Sequence, residues 1–458
     1  MLSLTFLANV SCPSPREFSE LPAYSPHRTI QEIAMSQPII PESRRNFIKK
    51  GASAGTALGA LALPHVHAAG DDIIKVGLIG GGGRGTGAAL QALNADPGVR
   101  LVAIGEAFAD RAAGCLKNLK GNKSVADRVL VTEETTFVGF DAYKQVIDMV
   151  DVAILTTSPH FRPQHLAYAV EKGKHCFVEK PIAVDAPGVR SVIETCKKAK
   201  EKGLSIVSGL CWRYDVGINA TMDKIKEGAI GDITAIESTY NAGGLWHRGD
   251  KDEWSRMEYQ MRNWLYYSWL SGDHITEQAI HSLDKTAWLN GDAHPIRATG
   301  LGGRQQRTDS KYGHIFDHHT VTYEYENGVR VYFTCRQQRG CSNGVDERVI
   351  GTKGQALVIG HRIMGENPWG FRGKKPSMYQ EEHDQLFKSI RDGKPINNGD
   401  YMCNSTMIAI MGRMATYTGK SLTWDQCINS TERLGPTSYD WGDLPEPEVA
   451  IPGITKFV

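Results

Sequence analysis

A glycine-rich turn joins an apolar strand to a helix near residue 80 of this chain. Residues 73–79 are apolar and rich in β-branched side chains, and the sequence Gly-Gly-Gly-Gly-Arg-Gly follows them directly. The spacing fits the pattern G-x-G-x-x-G, with Gly80, Gly82 and Gly85 as its three glycines. Such a turn lets the backbone approach a pyrophosphate, which binds at the N-terminus of the helix. The pattern therefore predicts a dinucleotide-binding βαβ unit.

An acidic residue supports this prediction. Glu106 ends the next apolar run, residues 99–105, about 20 positions after the third glycine, where a carboxylate receives the ribose hydroxyls of the adenosine half. Its charge would repel a 2′-phosphate, so we expect NAD, with NADP as the alternative because Arg111 lies close by. Gly83 and Arg84, inside the turn, are assigned to the same cofactor site.

The charge balance and the cysteines exclude several classes of protein. The 458-residue chain has 52 Lys and Arg against 51 Asp and Glu, so no basic excess points to a nucleic-acid partner. No apolar run reaches the roughly 18 residues of a membrane span. None of the nine cysteines forms a C-x-x-C pair, so we expect buried or surface thiols rather than a metal or redox site.

The N-terminal 69 residues are interpreted as a leader that contains an export signal. Arg44 and Arg45 precede a short stretch rich in Gly and Ala, residues 51–63, and small residues follow. This order is typical of a twin-arginine signal, and it predicts cleavage after Ala68 or Ala69 and a periplasmic or other extracytoplasmic location. Residues 1–34 lack periodicity, so we expect translation to begin at Met35 rather than at Met1.

Residues 70–210 alternate between strand and helix patterns. The predicted strands after the first βαβ unit are residues 129–131, 152–155, 175–178 and 204–209, and the predicted helices are residues 110–120, 164–172 and 186–202. Alternating units of this kind predict a Rossmann domain, an α/β fold with a doubly wound parallel sheet. Ligands bind at the carboxyl ends of such strands.

Residues 211–425 have a different pattern. Long strand-like runs dominate, and one helix is predicted over residues 274–289. We expect an α+β domain with a large, mostly antiparallel open sheet, serving for substrate binding and oligomerisation. The tail, residues 426–458, is rich in Pro, Gly and Asp and is expected to wrap an existing surface.

Three further motifs carry a resemblance to a known family. They are residues 156–160 (Thr-Thr-Ser-Pro-His), residues 179–181 (Glu-Lys-Pro) and the stretch 272–284. Together with the glycine turn, they make the chain resemble the Gfo/Idh/MocA family, named for glucose–fructose oxidoreductase and inositol dehydrogenase. In that family the lysine of the Glu-Lys-Pro motif contacts substrate and assists proton transfer, a role that the resemblance gives to Lys180. The resemblance also implies a set of cofactor-binding positions: Thr156, Ser158, His160, Glu179, Lys180 and Arg213.

The family's third motif usually reads D-x-G-x-H-x-x-D. Here Glu277, His281 and Asp284 occupy the polar positions, with Glu277 in place of the usual aspartate and Ala279 in place of the glycine. Their spacing would put the three side chains on one helix face, where a carboxylate can fix the tautomer of an imidazole. We therefore expect His281 to act as the general acid/base and Glu277 to assist it. The alternative is a structural polar helix face.

Two clusters leave alternatives open. Residues 240–270 hold four tryptophans among arginines and tyrosines, a composition that suits either sugar stacking or a subunit interface. Trp212 resembles a family position near the nicotinamide, but it could equally pack in the core. His314, Asp317, His318 and His319 have the spacing of metal ligands, yet the residues after them form a strand pattern, so we expect polar groups at the cleft mouth and no metal.

The resemblance implies an oxidoreductase that moves a hydride between a nicotinamide cofactor and a small carbohydrate: a sugar, polyol or glycoside. Because no ready pool of free cofactor exists outside the inner membrane, an exported member is expected to hold NAD tightly and regenerate it in place. A redox-neutral, NAD-dependent glycoside hydrolase or lyase of the same family is therefore the alternative. A non-enzymatic sugar or cofactor sensor is a third interpretation. A homodimer or homotetramer is expected, since family members usually pair through the second domain's sheet.

Overall fold

The structure, a computed structural model, describes residues 72–458. The predicted leader, its export signal and the expected cleavage site lie outside the described residues. Among residues 72–458, no helix combines the length and the apolar character needed to cross a bilayer.

Six parallel strands with helices between them form the first domain. The strands are β1 (Ile74–Ile79), β2 (Val99–Glu106), β3 (Thr136–Val138), β4 (Val152–Leu155), β5 (His175–Val178) and β6 (Ile206–Ser208). The helices are α1 (Gly83–Ala95), α2 (Ala109–Gly121), α3 (Ala142–Met149), α4 (Arg162–Glu171) and α5 (Ala186–Glu201). The strand order, β3-β2-β1-β4-β5-β6, is that of a doubly wound dinucleotide-binding sheet, which confirms the predicted fold class.

The third strand lies elsewhere than predicted. Residues 129–131 form no strand, and only Val129 makes a bridge to Leu101, while β3 takes the edge position beside β2. Leu130 is exposed and its N–H makes a single hydrogen bond to the first sheet. The apolar side chains of Val129 and Val131 anchor this connection in the core, which explains why the segment has the composition of a strand.

The second domain is built on a nine-stranded sheet. Its strands are β7 (Ile233–Ala242), β8 (Arg297–Gly303), β9 (His318–Glu324), β10 (Arg330–Gln337), β11 (Gly344–Gly351), β12 (Gly354–Leu357), β13 (Arg362–Gly365), β14 (Trp369–Gly370) and β15 (Leu422–Thr423). The order is β14-β13-β12-β11-β7-β10-β9-β8-β15, and every pairing except β7 with β10 is antiparallel. The predicted, mostly antiparallel sheet is therefore confirmed.

The helices of the second half are mostly short. They are α6 (Val216–Lys226), α7 (Arg256–Arg262), α8 (Ser268–Ser271), α9 (His274–Glu277), α10 (Ile280–Leu289), α11 (Met378–Arg391), α12 (Gly399–Thr418) and α13 (Trp424–Ile428). The single helix predicted over residues 274–289 is wrong, because α9 and α10 are separated at Gln278 and Ala279. The Ala279 N–H bonds to the carbonyl of His274, five residues back, so the regular helical ladder is interrupted there.

Helix α11 departs from the expected domain boundaries. The sequence assigns it to the second domain, but its apolar residues Leu386, Phe387 and Ile390 are buried in the first domain's core, against α1. Helix α12 is almost fully buried and packs against α5, α10 and β8. The chain thus returns to the first domain after completing the second sheet.

A third apolar cluster lies beside the first domain's loops. Its buried members come mainly from residues 257–270, and the partly buried members around it include Phe108 and Phe140 of the first domain and Tyr439 of the tail. Trp441 stacks on Phe140 at 4.5 Å between ring centroids. The tail therefore packs on an existing surface, as expected.

Candidate active site

A cavity of about 520 Å³ opens at the carboxyl ends of the first domain's strands. The glycine turn after β1, Glu106 at the end of β2, the loop after β4 and the Glu-Lys pair after β5 form one side. The second domain contributes Glu277, His281 and part of the segment before α8. The volume lies within the range of cofactor and ligand sites, and the position is the one that doubly wound sheets use for ligands.

The glycines of the turn differ in the space that surrounds them. Gly80 has φ +101°, and a Cβ there would lie 2.7 Å from the backbone of Thr156. A Cβ on Gly85 would collide with the carbonyl oxygen of Gly80. A Cβ on Gly82 or Gly83, in contrast, would meet no protein atom within 4 Å, because both face the open cavity. Helix α1 has no side-chain N-cap, so its first N–H groups remain available to an anion such as a pyrophosphate.

The glycine turn and the start of α1 form a cradle for a pyrophosphate. Glu106 lies at the end of this cradle where the adenosine half of a dinucleotide would bind. Its carboxylate accepts hydrogen bonds from the backbone N–H groups of Gly81 at 2.6 Å, Ala107 at 2.7 Å and Phe108 at 3.3 Å. Burial raises the pKa of Glu106 above its ordinary value, and these donors oppose that shift. The fixed acceptor suits a ribose diol, so the donor set of the cavity fits a nicotinamide dinucleotide.

Arg84 lies in the glycine turn, but its charge is neutralised by the protein. Its guanidinium group pairs with the Glu179 carboxylate and, at 2.7 Å, with Glu382 of α11, and it lies over the ring of Tyr379 at 4.9 Å. Burial and the neighbouring Glu179 raise the pKa of Glu382 well above its ordinary value. Arg84 still lines the cavity, and its pairing with Glu382 links the turn to α11.

Lys180, Glu277 and His281 meet on one wall of the cavity. Lys180 Nζ donates to the backbone carbonyl of Glu277 and lies 3.1 Å from its Oε1 atom, and both side chains are largely buried. The Lys180–Pro181 peptide bond is cis. Thr156 and Ser158 line the same cavity, so most of the predicted site residues are brought together.

His281 is held among cations. Burial, followed by the charges of Lys180, Lys285 and Arg84, lowers its pKa well below the ordinary value, so the imidazole is neutral near pH 7. Its ring stacks on Trp212 at 5.6 Å, and its Nδ1 atom is buried without a hydrogen-bond partner.

A buried ion pair supports this histidine. Lys285 Nζ lies 3.3 Å above the Trp212 ring, donates to the backbone carbonyl of His281, and pairs with Glu347 at 3.3 Å. Neither side chain of the pair is exposed. Burial raises the pKa of Glu347 to about 7 and lowers that of Lys285. Trp212 is thus a packing residue between the histidine and the pair, and it does not line the cavity.

The expected arrangement of the third motif is wrong in one respect. The break between α9 and α10 interrupts the single helix that this spacing assumed, and the Glu277 carboxylate contacts Lys180 rather than His281. Asp284 accepts hydrogen bonds from Arg213 at 2.8–3.0 Å and from Ser405 at 2.8 Å. Asp284 is therefore a structural residue.

Two predicted cofactor positions lie outside the cavity lining. Arg213 also pairs with Asp292 at 2.6 Å and stacks on Tyr401, so its guanidinium is used within the second domain's structure. His160 bonds to the hydroxyl of Tyr439 at 2.7 Å, and burial lowers its pKa to about 4. Both side chains are partly buried by contacts with distant segments, which the local sequence does not reveal.

The tryptophan-rich segment supplies the outer wall of the cavity. Trp246, Arg248, Arg262 and Trp264 line it, so this part of the segment faces a ligand space. Arg262 pairs with Asp110 of α2 at 3.0 Å and lies over the Phe108 ring at 4.1 Å, which joins the second domain to the adenosine side of the first.

Several lining residues were not predicted. Phe108 and Phe140, Tyr143 and His165 come from the first domain's loops and helices, and Tyr379 comes from α11. For Phe108, its position two residues after Glu106 is a usable signal. Tyr379 lies about 300 residues after the glycine turn, and nothing in its local sequence points to the cavity.

The expected polar cluster at residues 314–319 is dispersed. His318 pairs with Asp317 at 2.8 Å, whereas His314 bonds to Ser268 and His319 to Thr416. His318 and His319 are neighbours on β9 and point to opposite faces. None of them lines the cavity, so they do not form its mouth.

Comparisons with known proteins agree with this architecture. Residues 74–207 match the family model described as the oxidoreductase family, NAD-binding Rossmann fold, and residues 218–357 match the GFO/IDH/MocA C-terminal domain. The structure of scyllo-inositol dehydrogenase from Lactobacillus casei with bound NAD(H) and scyllo-inositol has the same fold, with a TM-score of 0.59 and 18% identity. That match covers 77% of this chain and 100% of the other.

Curated relatives match over shorter stretches. Glycosyl hydrolase family 109 protein 1 of Bacteroides fragilis (strain YCH46) is 26% identical over 288 residues, which is 60% of this chain and 56% of the relative. The 2,7-anhydro-N-acetylneuraminate hydratase of Escherichia coli (strain K12) is 27% identical over 180 residues, covering 39% of this chain and 44% of the relative. The chain thus spans about half the length of these relatives. With both domain models matched in order over more than half of its length, the chain belongs to the Gfo/Idh/MocA family of oxidoreductases with an NAD-binding Rossmann domain.

Proposed function

We propose that this chain is an exported, NAD-dependent oxidoreductase that transfers a hydride to or from a sugar, polyol or glycoside. One observation carries the proposal. Lys180, Glu277 and His281 line the same cavity as the glycine turn and Glu106, so proton-transfer groups and a dinucleotide cradle share one enclosed space.

The residues of the cradle have separate tasks. The N–H groups at the start of α1 bind the pyrophosphate, Gly82 and Gly83 leave room for it, and Glu106 accepts the ribose hydroxyls. When bound, the nicotinamide ring supplies the carbon that accepts or donates the hydride. The charge of Glu106 favours NAD over NADP, because a 2′-phosphate would lie beside a half-buried carboxylate.

His281 and Lys180 are the residues that take part in moving the proton of the substrate hydroxyl. The neutral imidazole can accept the proton of the substrate hydroxyl as the carbon that bears it loses a hydride, and the reverse reaction returns that proton. The Lys180 ammonium group donates a hydrogen bond to the same oxygen and stabilises its developing negative charge. Glu277 positions Lys180 through two acceptors and does not itself contact His281.

The outer wall suits a carbohydrate. Trp246 and Trp264 offer flat apolar faces, and Arg248 and Arg262 offer N–H donors beside them. Rings of this kind pack on the C–H faces of sugars while the guanidinium groups bond to hydroxyls.

A redox-neutral glycosidase or lyase is the second candidate. It is favoured by the match to a family-109 glycosyl hydrolase over 60% of this chain. It is also favoured by the contact between Arg262 and the adenosine side of the first domain, which would hinder cofactor release. An enzyme that keeps its NAD and resets it in each cycle needs no external pool.

One preparation tests both candidates. The purified chain is denatured and the released nucleotide is identified, and we expect NAD or NADH at about one per chain. The native protein is then incubated with free sugars and polyols plus NAD, and separately with aryl glycosides without added NAD. Net NADH formation supports the dehydrogenase, whereas aglycone release without NADH supports the glycosidase. A chain that binds no nucleotide would overturn both.

Export is tested separately. The full-length gene is expressed in a bacterium with and without a functional twin-arginine translocase, and the mature protein is located by fractionation. We expect it outside the inner membrane only when the translocase is present. Replacement of Arg44 and Arg45 by lysine should retain the protein inside the cell, and continued export of that variant would contradict this part of the proposal.

A further inference from the structure

A buried lysine lies one helical turn after His281 on α10. Lys285 and its partner Glu347 on β11 have no exposed side-chain surface, and Lys285 Nζ lies 3.3 Å from Oε2 of the carboxylate. Taking two charges out of water is costly, and replacing a buried ion pair by well-packed apolar side chains is often neutral or stabilising. The pair is therefore a poor device for stability alone, and the other contacts of Lys285 point to a second role.

The Lys285 ammonium group makes two further contacts, and both lead to His281. It donates a hydrogen bond to the backbone carbonyl of His281 at 3.0 Å. It also lies 3.3 Å from the centre of the Trp212 ring, where a cation is attracted by the electrons of the indole face. That ring stacks on the imidazole of His281, with 5.6 Å between the ring centroids and 22° between the ring planes. The ammonium group thus holds both the backbone of His281 and the ring on which its imidazole packs.

The ring of His281 lacks the usual hydrogen-bonded support. Its Nδ1 atom is buried and has no hydrogen-bond partner among residues 72–458. Glu277, the acidic residue of the same motif, pairs with Lys180 instead. A histidine that exchanges protons through one ring nitrogen is commonly oriented by a hydrogen bond from the other to a carboxylate or carbonyl. Here the stacking on Trp212 takes the place of that bond.

Lys285 also acts on His281 through its charge. Burial and the cations Lys180, Lys285 and Arg84 lower the pKa of His281, because a neighbouring positive charge disfavours the imidazolium form. Lys180 and Arg84 line the cavity, whereas Lys285 lies behind its wall and contributes charge without taking up ligand space. The other titratable groups that act on the Lys285–Glu347 pair are Asp284 on α10, Asp346 on β11, Tyr240 on β7 and Cys211 after β6.

We propose that Trp212 and Lys285 are positioning residues for His281, with Glu347 as the counter-charge that keeps Lys285 in place. The stack directs the imidazole toward the cavity, and the ammonium group keeps it unprotonated and ready to accept the proton of the substrate hydroxyl. None of the three side chains lines the cavity, so they act through His281 and not on a ligand. This role rests on the proposed function, because His281 is the proton acceptor proposed there.

The charge of Lys285 is tested by a titration that needs no turnover. The full-length protein is labelled with carbon-13 at the histidine Cε1 atoms and titrated by NMR, and the His281 resonance is assigned by its absence in His281→Gln. In Lys285→Met we expect His281 to become protonated at a higher pH than in the wild type, because one cation is removed. Since Lys285→Met leaves a buried carboxylate unpaired, the double variant Lys285→Met/Glu347→Gln is titrated as well, and we expect a shift in the same direction.

The orienting role of Trp212 is tested by steady-state kinetics. Trp212→Leu removes the stack, so we expect kcat to fall about tenfold, since a small displacement of a catalytic group is costly. KM should stay within about twofold, because Trp212 does not contact the ligand space. Trp212→Phe keeps an aromatic face and should recover most of the lost kcat. In Lys285→Met, the acidic limb of the kcat/KM profile for oxidation should move to higher pH with the titration of His281.

Arg413→Met is the matched control for the loss of a buried cation. Arg413 on α12 is 1% exposed and pairs with Glu432, away from the cavity lining. Its replacement should lower the melting temperature without changing the titration of His281. The role of Lys285 is overturned if His281 titrates as in the wild type, or at lower pH, in both Lys285 variants. Full kcat in a folded Trp212→Leu protein overturns the role of Trp212. A wild-type protein that turns over no carbohydrate contradicts the proposed function, and the NMR titration still decides whether Lys285 controls the protonation of His281.

Discussion

Lys180 and Glu277 are joined by two hydrogen bonds, in which the ammonium group donates to both the backbone carbonyl and the carboxylate. Lys180 follows the fifth strand of the first domain, and Glu277 ends α9 in the second. The pair therefore connects the two domains at the inner wall of the cavity. Any change in the relative position of the domains would change the position of the ammonium group.

Replacement of Lys180 tests its part in proton transfer. Lys180→Ala removes the ammonium group from the cavity, and we expect kcat/KM to fall at least about 100-fold, the usual contribution of such a group. Lys200→Ala, an exposed lysine on α5, is the control and should keep full activity. Steady-state kinetics on a sugar, polyol or glycoside that the wild-type protein turns over provide the measurement, and retention of more than half of the activity by Lys180→Ala would contradict the assignment.

Substitutions at two glycines of the turn should have different effects, one on folding stability and the other on nucleotide binding. Gly85→Ala places a Cβ against the carbonyl of Gly80 and should lower the melting temperature of the nucleotide-free protein by several degrees. Gly82→Ala meets no protein atom and should leave that temperature unchanged, while nucleotide affinity falls about tenfold or more, since the added methyl group occupies the cradle. Thermal unfolding and calorimetric titration with NAD distinguish the two effects, and the interpretation fails if Gly82→Ala binds NAD normally.

Buried neutral histidines make the stability sensitive to acid. Burial lowers the pKa of His160 to about 4, of His165 to about 3 and of His314 to about 4. In the unfolded chain each would have a pKa of about 6.5, so below that pH the unfolded state binds protons that the folded state does not. The free energy of unfolding should therefore be at its full value above about pH 6.5 and decrease as the pH falls toward 4.

Denaturant unfolding at several pH values between about 6.5 and 4 measures how steeply the free energy of unfolding changes with pH. His165→Phe keeps the stacking on Tyr143 and should reduce the slope by up to about 1.4 kcal/mol per pH unit, the share of one proton. His294→Gln, a change at an exposed histidine, serves as the control. An unfolding free energy independent of pH between about 6.5 and 4.5 would show that these histidines are not kept neutral by burial.

The contact between Arg262 and the first domain should slow cofactor release. Asp110→Asn removes only an ion pair whose carboxylate is largely exposed and should increase the dissociation rate of NAD by a few-fold at most. Arg262→Ala also removes the stacking on Phe108, so we expect an increase of about tenfold. Arg256→Ala, whose partners are Asp250 and Glu446, is the control. Stopped-flow displacement measures the rates, and equal rates in Arg262→Ala and wild type would refute this role.

The outer face of the second sheet should mediate self-association. Leu301 on β8 is 79% exposed and Tyr332 on β10 is 48% exposed, with threonines of β9 between them. We expect a dimer or tetramer by light scattering at micromolar concentration and dissociation on Leu301→Glu, because the added charge would be buried at the interface. Leu130→Glu, at an exposed position of the first domain, should leave the assembly intact.

The first domain could be predicted in most of its elements because its signals are local. A glycine turn, an acidic residue at the next strand end and the Glu-Lys-Pro motif each lie within a few residues of the backbone that they shape. The strand predicted at residues 129–131 fails for the same reason, since local composition cannot distinguish a buried connection from a strand. The position of β3 depends on pairing with β2, which is a long-range property.

The part of the site that comes from the second domain was harder to predict from the sequence. The break at Gln278 and Ala279 contains neither glycine nor proline, so periodicity predicted one helix and one shared face. Arg213 was assigned to the cofactor, yet Asp284 and Asp292, distant in sequence, take its guanidinium group. Pairings of this kind are decided by tertiary packing.

The tail has a consequence for the order in which the molecule is completed. Trp441 and Tyr439 pack on Phe140, a lining residue of the cavity, and they lie within the last 20 residues of the 458-residue chain. These rings follow Phe140 by about 300 residues, so they become available only after every strand of both sheets has been synthesised. A nascent chain can fold its first sheet early, but the cavity wall at Phe140 is completed only when the tail has been added.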